Sequence, residues 1–375
     1  SVSVVLKVSE GAQTVISSIR ITGMNCVSEE EAHGALNLKK GTPLRRYMLK
    51  SDENALAARI SEKGYPHVTV QAQTSLSEDR SKAEVDYIVD EGPPVTMGNI
   101  YYRGNFRTRE KILYQEIKMD RDAPFSLKKM LAGQRNIRDL AIFNSVQFKT
   151  IGLKEKRQEI TLLADMEEKE PYYFQVGGGY ESERGLFAHT SGGDHNLFGT
   201  NKDAWVAGEV SQIGYKAEPG IREPRLLGTR TSTTLGLFSE KRQEFNQDFG
   251  TSTLGASLGF NRRLARYINA GLSFRFERRD QFLSSSGWET ADPVNENEFD
   301  PRSILVTMPS IMFDTRDSFI RPTRGVFSSL SVDISKGIQN SLDNFFKYRF
   351  DARFFVTPVE RITLAWLGRL GYLVP

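Results

Sequence analysis

The spacing Gly255-Ala-Ser257-Leu-Gly259 could present a nucleophile. In a Gly-x-Ser-x-Gly elbow, the serine stands on a strained bend between a strand and a helix. Here Leu254, Ala256, Leu258 and Phe260 alternate through the motif, so an uninterrupted strand is expected and catalysis is not. The four histidines, His33, His67, His189 and His195, show no metal-ligand spacing. Cys26 is the sole cysteine, which excludes an internal disulfide and a thiolate metal cluster and leaves an oxidising compartment permitted. Nothing has the pattern of a phosphate-binding loop. The chain is therefore not read as an enzyme, and no metal or cofactor is expected.

Two other groups could act through hydrogen bonds. Asp314, Arg316, Asp317 and Arg324, ahead of Gly325, form a dense charge cluster at a turn. It is either a polar network that positions an inserted loop or turn capping with local ion pairs, which are weak at a surface. Gly177-Gly178-Gly179 follows Tyr173, Gln175 and Val176 in what reads as a strand. Consecutive glycines weaken a strand and pack nothing. Such a strand either opens and pairs with an incoming chain through its backbone, or it bends where a barrel needs close approach.

The elements that must position these residues follow two grammars, joined near Pro171. Beyond that point eleven strands are expected: 172–180, 185–195, 202–211, 214–222, 229–239, 251–261, 267–278, 303–314, 324–336, 345–356 and 361–373. Phe346, Tyr348, Phe350 and Phe354 alternate with Lys347, Arg349, Asp351 and Arg353. Large apolar residues on one side and charges of both signs on the other suit lipid outside and a polar lumen inside. Turns on the side of the preceding region read as short and those opposite as longer, the longest spanning 280–302. Eleven is odd, and membrane barrels must close, so 171–375 is expected to be the N-terminal part of a larger barrel.

Before Pro171 the sequence repeats at a spacing of 81 residues. Ile19-Arg-Ile-Thr-Gly23 matches Ile100-Tyr-Tyr-Arg-Gly104, Glu10-Gly11 matches Glu91-Gly92, and Pro43 matches Pro124. The expected order is β-α-α-β-β, in modules spanning 10–92 and 93–170. Ser28 and Glu31 have capping-box spacing, and Leu49, Leu56 and Ile60 share a helical face. Residues 1–9 map onto the closing strand of a further, preceding module. The second strand of each module offers a possible open edge, through Val68 and Val70 in the first and Val146 and Phe148 in the second. Such an edge accepts an extended peptide or is covered by the neighbouring module.

The bulk composition agrees. With 375 residues there is room for two or three domains, and 50 basic against 47 acidic residues give no reason to expect nucleic acid. No apolar run is long enough for a membrane helix, which leaves a barrel open. Ser1-Val-Ser-Val opens directly in a strand pattern without a leader, so the chain reads as processed or cut from something longer.

The modules resemble POTRA (polypeptide-transport-associated) domains, with Gly23 and Gly104 at the typical end of the first strand. The turn Phe313-Asp-Thr-Arg-Asp317 followed by Pro322-Thr-Arg-Gly325 resembles a signature of the bacterial surface-antigen barrels. The turns Asn196-Leu-Phe-Gly-Thr200 and Glu223-Pro224 resemble family landmarks as well. The resemblance covers essentially the whole chain. It implies a sixteen-stranded outer-membrane barrel with POTRA domains in the periplasm and a lateral seam between the first and last strands. The strand 172–180 is then one side of that seam. The work implied is receiving unfolded outer-membrane proteins and catalysing their folding and insertion. Membrane lipid and accessory outer-membrane lipoproteins are the implied partners, without nucleic acid or cofactor. A three-module assembly factor and a two-partner secretion transporter share the architecture and remain alternatives.

Overall fold

A computed structural model describes residues 13–243, 249–283, 301–338, 341 and 343–375. The strand expected at 2–8, the Glu10-Gly11 match and residues 284–300 of the long connection lie outside the described residues. The chain divides into two compact units, Ser1–Lys169 and Glu170–Pro375.

The first unit holds two modules. One comprises β1 (Val15–Thr22), α1 (Glu29–Ala35), α2 (Arg46–Ser61), β2 (Thr69–Leu76) and β3 (Lys82–Asp90). The other repeats the order with β4 (Thr96–Arg103), α3 (Glu110–Ile117), α4 (Leu127–Arg138), β5 (Phe143–Ile151) and β6 (Glu159–Glu168). Each sheet has three strands, ordered β1-β3-β2 and β4-β6-β5. The last strand of each module lies in the middle, parallel to the first and antiparallel to the second. Period-two alternation on β3 buries Ala83, Val85, Tyr87 and Val89. Leu56 and Ile60 of α2 close over that face, and in the second module β6 buries Ile160, Leu162, Ala164 and Met166 in a separate core.

Glycine is required at the repeated position for a geometric reason. Gly23 and Gly104 have φ of +83° and +87°, where an L side chain is strained. A Cβ at either would also overlap a main-chain carbonyl oxygen of the central strand, that of Val89 or Met166.

Helix entry differs from the capping-box expectation. Ser28 Oγ accepts from the Glu31 N–H at 3.3 Å, but the Glu31 carboxylate turns to Arg59 and Lys63 instead of returning to the cap. Carboxylates at the end of each central strand support the loops that lead into the helices. Glu91 Oε1 accepts from the Asn25 and Cys26 N–H groups at 2.6 and 2.8 Å. Glu168 accepts from the Arg107 and Thr108 N–H groups at 2.9 and 2.7 Å. The 81-residue spacing hid this pair, because the second module is shorter ahead of its last strand.

The second unit is one antiparallel sheet of eleven strands, each beside its sequence neighbours. They are β7 (Tyr172–Glu181), β8 (Gly185–Asp194), β9 (Asp203–Ser211), β10 (Gly214–Glu223), β11 (Thr231–Gln243), β12 (Phe249–Ala265), β13 (Ile268–Leu283), β14 (Arg302–Asp314), β15 (Gly325–Ile338), β16 (Phe345–Val359) and β17 (Ile362–Val374). The loop-length expectation holds only in part. Two turns on the far side, 182–184 and 212–213, are among the tightest, whereas 195–202 and 315–324 on the near side are longer.

Candidate functional site

The two faces of the large sheet are chemically distinct. One exposes rows of apolar side chains, among them Phe346, Phe350 and Phe354 on β16 and Leu364, Trp366 and Leu370 on β17. The other carries ion pairs. Arg349 reaches Asp333 at 2.6 Å, and Asp351 holds both Arg353 and Arg369 at 2.8 Å. Glu277, only 2% exposed, lies between Arg275 and Arg279. Cross-strand register produces this segregation, because residues opposite one another share a face: Leu330 meets Phe350, while Ser331 meets Arg349.

Among the described residues, β7 and β17 are the two ends of the sheet, and β7 pairs with β8. On β7 the apolar face shows Phe174 at 76% and Val176 at 75% exposure, with Tyr173 and Gln175 facing the other way. The three glycines do not stand over empty space. Gly177 lies beneath the His189 imidazole and Gly179 beneath the Phe187 ring, both from β8. A Cβ on Gly178 would press on the Phe187 carbonyl oxygen at 2.9 Å. The same device recurs where Tyr173 lies over Gly193, Trp205 over Gly220 and Phe238 over Gly255. The glycines therefore make room for rings on the neighbouring strand, which sequence alternation alone cannot reveal.

The charge cluster at 314–325 separates into two arrangements. Arg316 pairs with Asp314 at 2.7 Å, and its guanidinium lies 4.8 Å from the centre of the Phe327 ring, which Arg353 approaches at 5.0 Å. Asp317 instead caps its own turn. It accepts from the N–H groups of Ser318, Thr323 and Arg324, at 2.9 to 3.1 Å, and from the Thr323 hydroxyl. Those bonds, the Thr323 hydroxyl first, hold its carboxyl far below the usual range. Arg324 contributes its main-chain amide, and Gly325 adopts φ +108° where a Cβ would crowd Thr315.

In the modules, β2 and β5 are edge strands. Val70 and Val146 point into the cores, and Phe148 packs partly against one. Val68 lies just before β2, its N–H bonded to the Tyr65 carbonyl at 3.3 Å, so it belongs to the approach to the edge. The opposite edges, β1 and β4, are covered by main chain from 41–44 and 122–125.

The covalent candidates do not assemble a site. Ser257 lies inside β12, paired across to Gly236 and Arg275, without the bend an elbow needs. Burial first, and Glu91 second, push the Cys26 thiol up to about 12, far from the nucleophilic range. Among the described residues no group of His, Cys, Asp and Glu could hold a metal ion. No described helix is long and apolar enough to cross a membrane.

Comparison with known proteins agrees with this geometry. Residues 196–375 match the Omp85 superfamily domain, and 14–92 match the POTRA family, described as a surface antigen variable number repeat. The outer membrane protein assembly factor BamA of Neisseria meningitidis is 20% identical over 71% of this chain and 34% of its own length. BamA of Nitratidesulfovibrio vulgaris is 20% identical over 80% of this chain and 37% of its own length. The chain thus spans about a third of these relatives. The crystal structure of BamA from Haemophilus ducreyi lacking POTRA domains 1–3 superposes with a TM-score of 0.67 at 16% identity, covering 96% of this chain and 70% of that one. CdiB from Escherichia coli superposes with a TM-score of 0.54 at 14% identity, covering 99% and 70%. A POTRA match over 14–92 and an Omp85 superfamily domain over 196–375 agree with the module and the antiparallel sheet of the structure, the organisation of outer-membrane proteins with periplasmic POTRA domains.

Proposed function

We infer that this protein receives unfolded outer-membrane proteins from the periplasm and catalyses their folding and insertion into the outer membrane. The observation that supports the reading is the two-faced sheet, apolar rows on one side and ion pairs on the other, whose first strand, β7, directly follows the modules in the chain. The neighbourhood of β7 is also the shortest part of the sheet. β7 to β10 have 9 or 10 residues each, whereas β11 to β17 have 13 to 17. Nine residues tilted by about 45° span only about 22 Å, at the lower limit of an outer-membrane apolar band. A seam there meets little hydrocarbon, which lowers the barrier to opening it. Main-chain pairing tolerates many client sequences, since the groups used are common to all. The driving energy is the client's own folding, because closing a sheet satisfies backbone groups that lipid cannot. The BamA names of the curated relatives support this reading.

Membrane lipid and accessory outer-membrane lipoproteins complete the expected partners. The protein-secreting alternative draws on the CdiB superposition, which is lower than that with BamA. A TamA-like assembly factor would use the same seam. Cysteines placed along β7 in the full-length protein test the proposal by crosslinking to stalled clients. Crosslinks confined to ion-paired-face positions such as Arg353, with none on β7, would overturn it in favour of a conduit.

A further inference from the structure

We propose that Glu53 and Gln134 are side-chain caps on the open edges of the two modules, each of which an incoming strand must displace before it adds to β2 or β5. The inference rests on the reading of these edges as client-binding strands and concerns how they are kept closed.

Each module has sealed its other edge with main chain, in the same pattern. Ile16 donates to the Thr42 carbonyl at 3.0 Å and accepts from the Gly41 N–H at 2.8 Å. Met97 donates to the Ala123 carbonyl at 2.9 Å and accepts from the Asp122 N–H at 2.7 Å. That leaves β2 and β5 as the edges where a strand can add. On β2, Glu53 Oε1 accepts from the Ala72 N–H at 2.8 Å. On β5, Gln134 Nε2 donates to the Val146 carbonyl at 2.9 Å. Glu53 and Gln134 stand 81 residues apart, at matching positions of α2 and α4, so both modules place a polar side chain on the edge.

The capped groups are ones a client would need. In an antiparallel pair the main-chain groups of alternate residues point toward the partner strand or away from it. Ala72 bonds to a helix side chain, so it points away from β3, and Val70 and Thr74 point the same way. The same parity gives Val146, Phe148 and Thr150 on β5. Each cap thus occupies one main-chain group in an outward-facing row. Glu53 is tied to Lys50 at 2.8 Å, and its side chain is only 16% exposed. The Lys50 ammonium foremost, and the Ala72 N–H with it, hold the Glu53 carboxylate below its usual range despite burial, so it stays charged at neutral pH. A charged acceptor holds an N–H more strongly than a neutral amide holds a carbonyl, so β2 is the more firmly closed edge. An extended chain pairing along several residues replaces the lost bond, whereas a short polar peptide does not.

The test uses the full-length protein in detergent micelles and a fluorescein-labelled peptide with the sequence of Ile362–Val374. A Thr150→Pro background removes an outward donor on β5 and isolates β2. Glu53→Ala in that background is expected to tighten binding about fivefold, the worth of one net hydrogen bond. Glu53→Gln, which keeps an acceptor and the helix packing, is expected to fall between. Gln134→Ala in a Thr74→Pro background is expected to tighten binding to β5. If Glu53→Ala weakens binding or leaves it unchanged while Thr74→Pro with Thr150→Pro abolishes it, the caps are overturned and the edge reading stands. If the double proline variant binds as before, or the parent protein binds no peptide, the edge reading fails and the caps with it.

Discussion

Asp52 occupies the buried stripe of α2 otherwise formed by Leu49, Leu56 and Ile60. Its carboxylate accepts from the Asn37 and Leu38 N–H groups at 2.8 and 3.1 Å, the Asn37 side-chain amide at 2.9 Å and the Tyr87 hydroxyl at 3.1 Å. Asp52→Leu strands several of these donors at about 1–3 kcal/mol each, so urea unfolding of the modules should show a loss of about 3–5 kcal/mol. Asp165 is an acid-sensitive group of the second module. Arg103 first, then Lys149 at 3.1 Å, hold its carboxyl at about 2. A carboxylate depressed in the folded state adds stability above its unfolded pKa of about 3.9 and loses it as pH falls through its folded value. Asp165→Asn should therefore lower stability slightly above about pH 4, by little because the pair is exposed, and flatten the profile between about pH 4 and pH 2. Gly177 makes a third case. Gly177→Ala should impair folding of the sheet because its Cβ meets the His189 ring, and adding His189→Ala should restore it. Absence of rescue would show that backbone freedom, not space for the ring, is what the position supplies.

At the scale of the element, the proposed seam sets β7 two opposing demands: to pair well enough with β8 to hold its place, and to leave its other edge exchangeable. Rings from β8 laid over Gly177 and Gly179 supply packing on the β8 side without adding bulk to β7 itself. Alanine at Val176 preserves every main-chain group, whereas proline removes a ladder donor. Val176→Pro should reduce assembly of a reporter outer-membrane protein well below the level of Val176→Ala, read as the heat-modifiable folded fraction. Equal activity of the two variants would argue against backbone pairing on this strand.

At the scale of the whole molecule, the eleven strands make one surface whose two faces meet different solvents. Phe350 stands in the apolar row and its neighbour Arg349 in the ion-paired one. Phe350→Arg should cost about 2–4 kcal/mol if the position lies near the bilayer midplane. Refolding titrations into lipid vesicles would measure it, and a cost near zero would move the apolar band away from this residue.

The strand array was legible because lipid on one side and charge on the other force a strict period of two, which needs no tertiary information to see. All eleven strands fall where alternation puts them, within a few residues at their ends. The repeated module was equally plain, since Gly23 and Gly104 answer a backbone constraint that no other residue meets without strain. The sequence did not reveal what depends on a partner distant in the chain. His189 over Gly177, Glu91 on Asn25 and Cys26, and Glu53 on Ala72 all join residues whose spacing carries no period. The cluster at 314–325 was visible as charge, but register and ring positions decided that Arg316 turns to Phe327 while Asp317 turns back on its own loop. Periodicity is a property of the local backbone and is written along the chain. Which edge stays open, and which side chain closes it, is decided only when strands from different parts of the sequence come together.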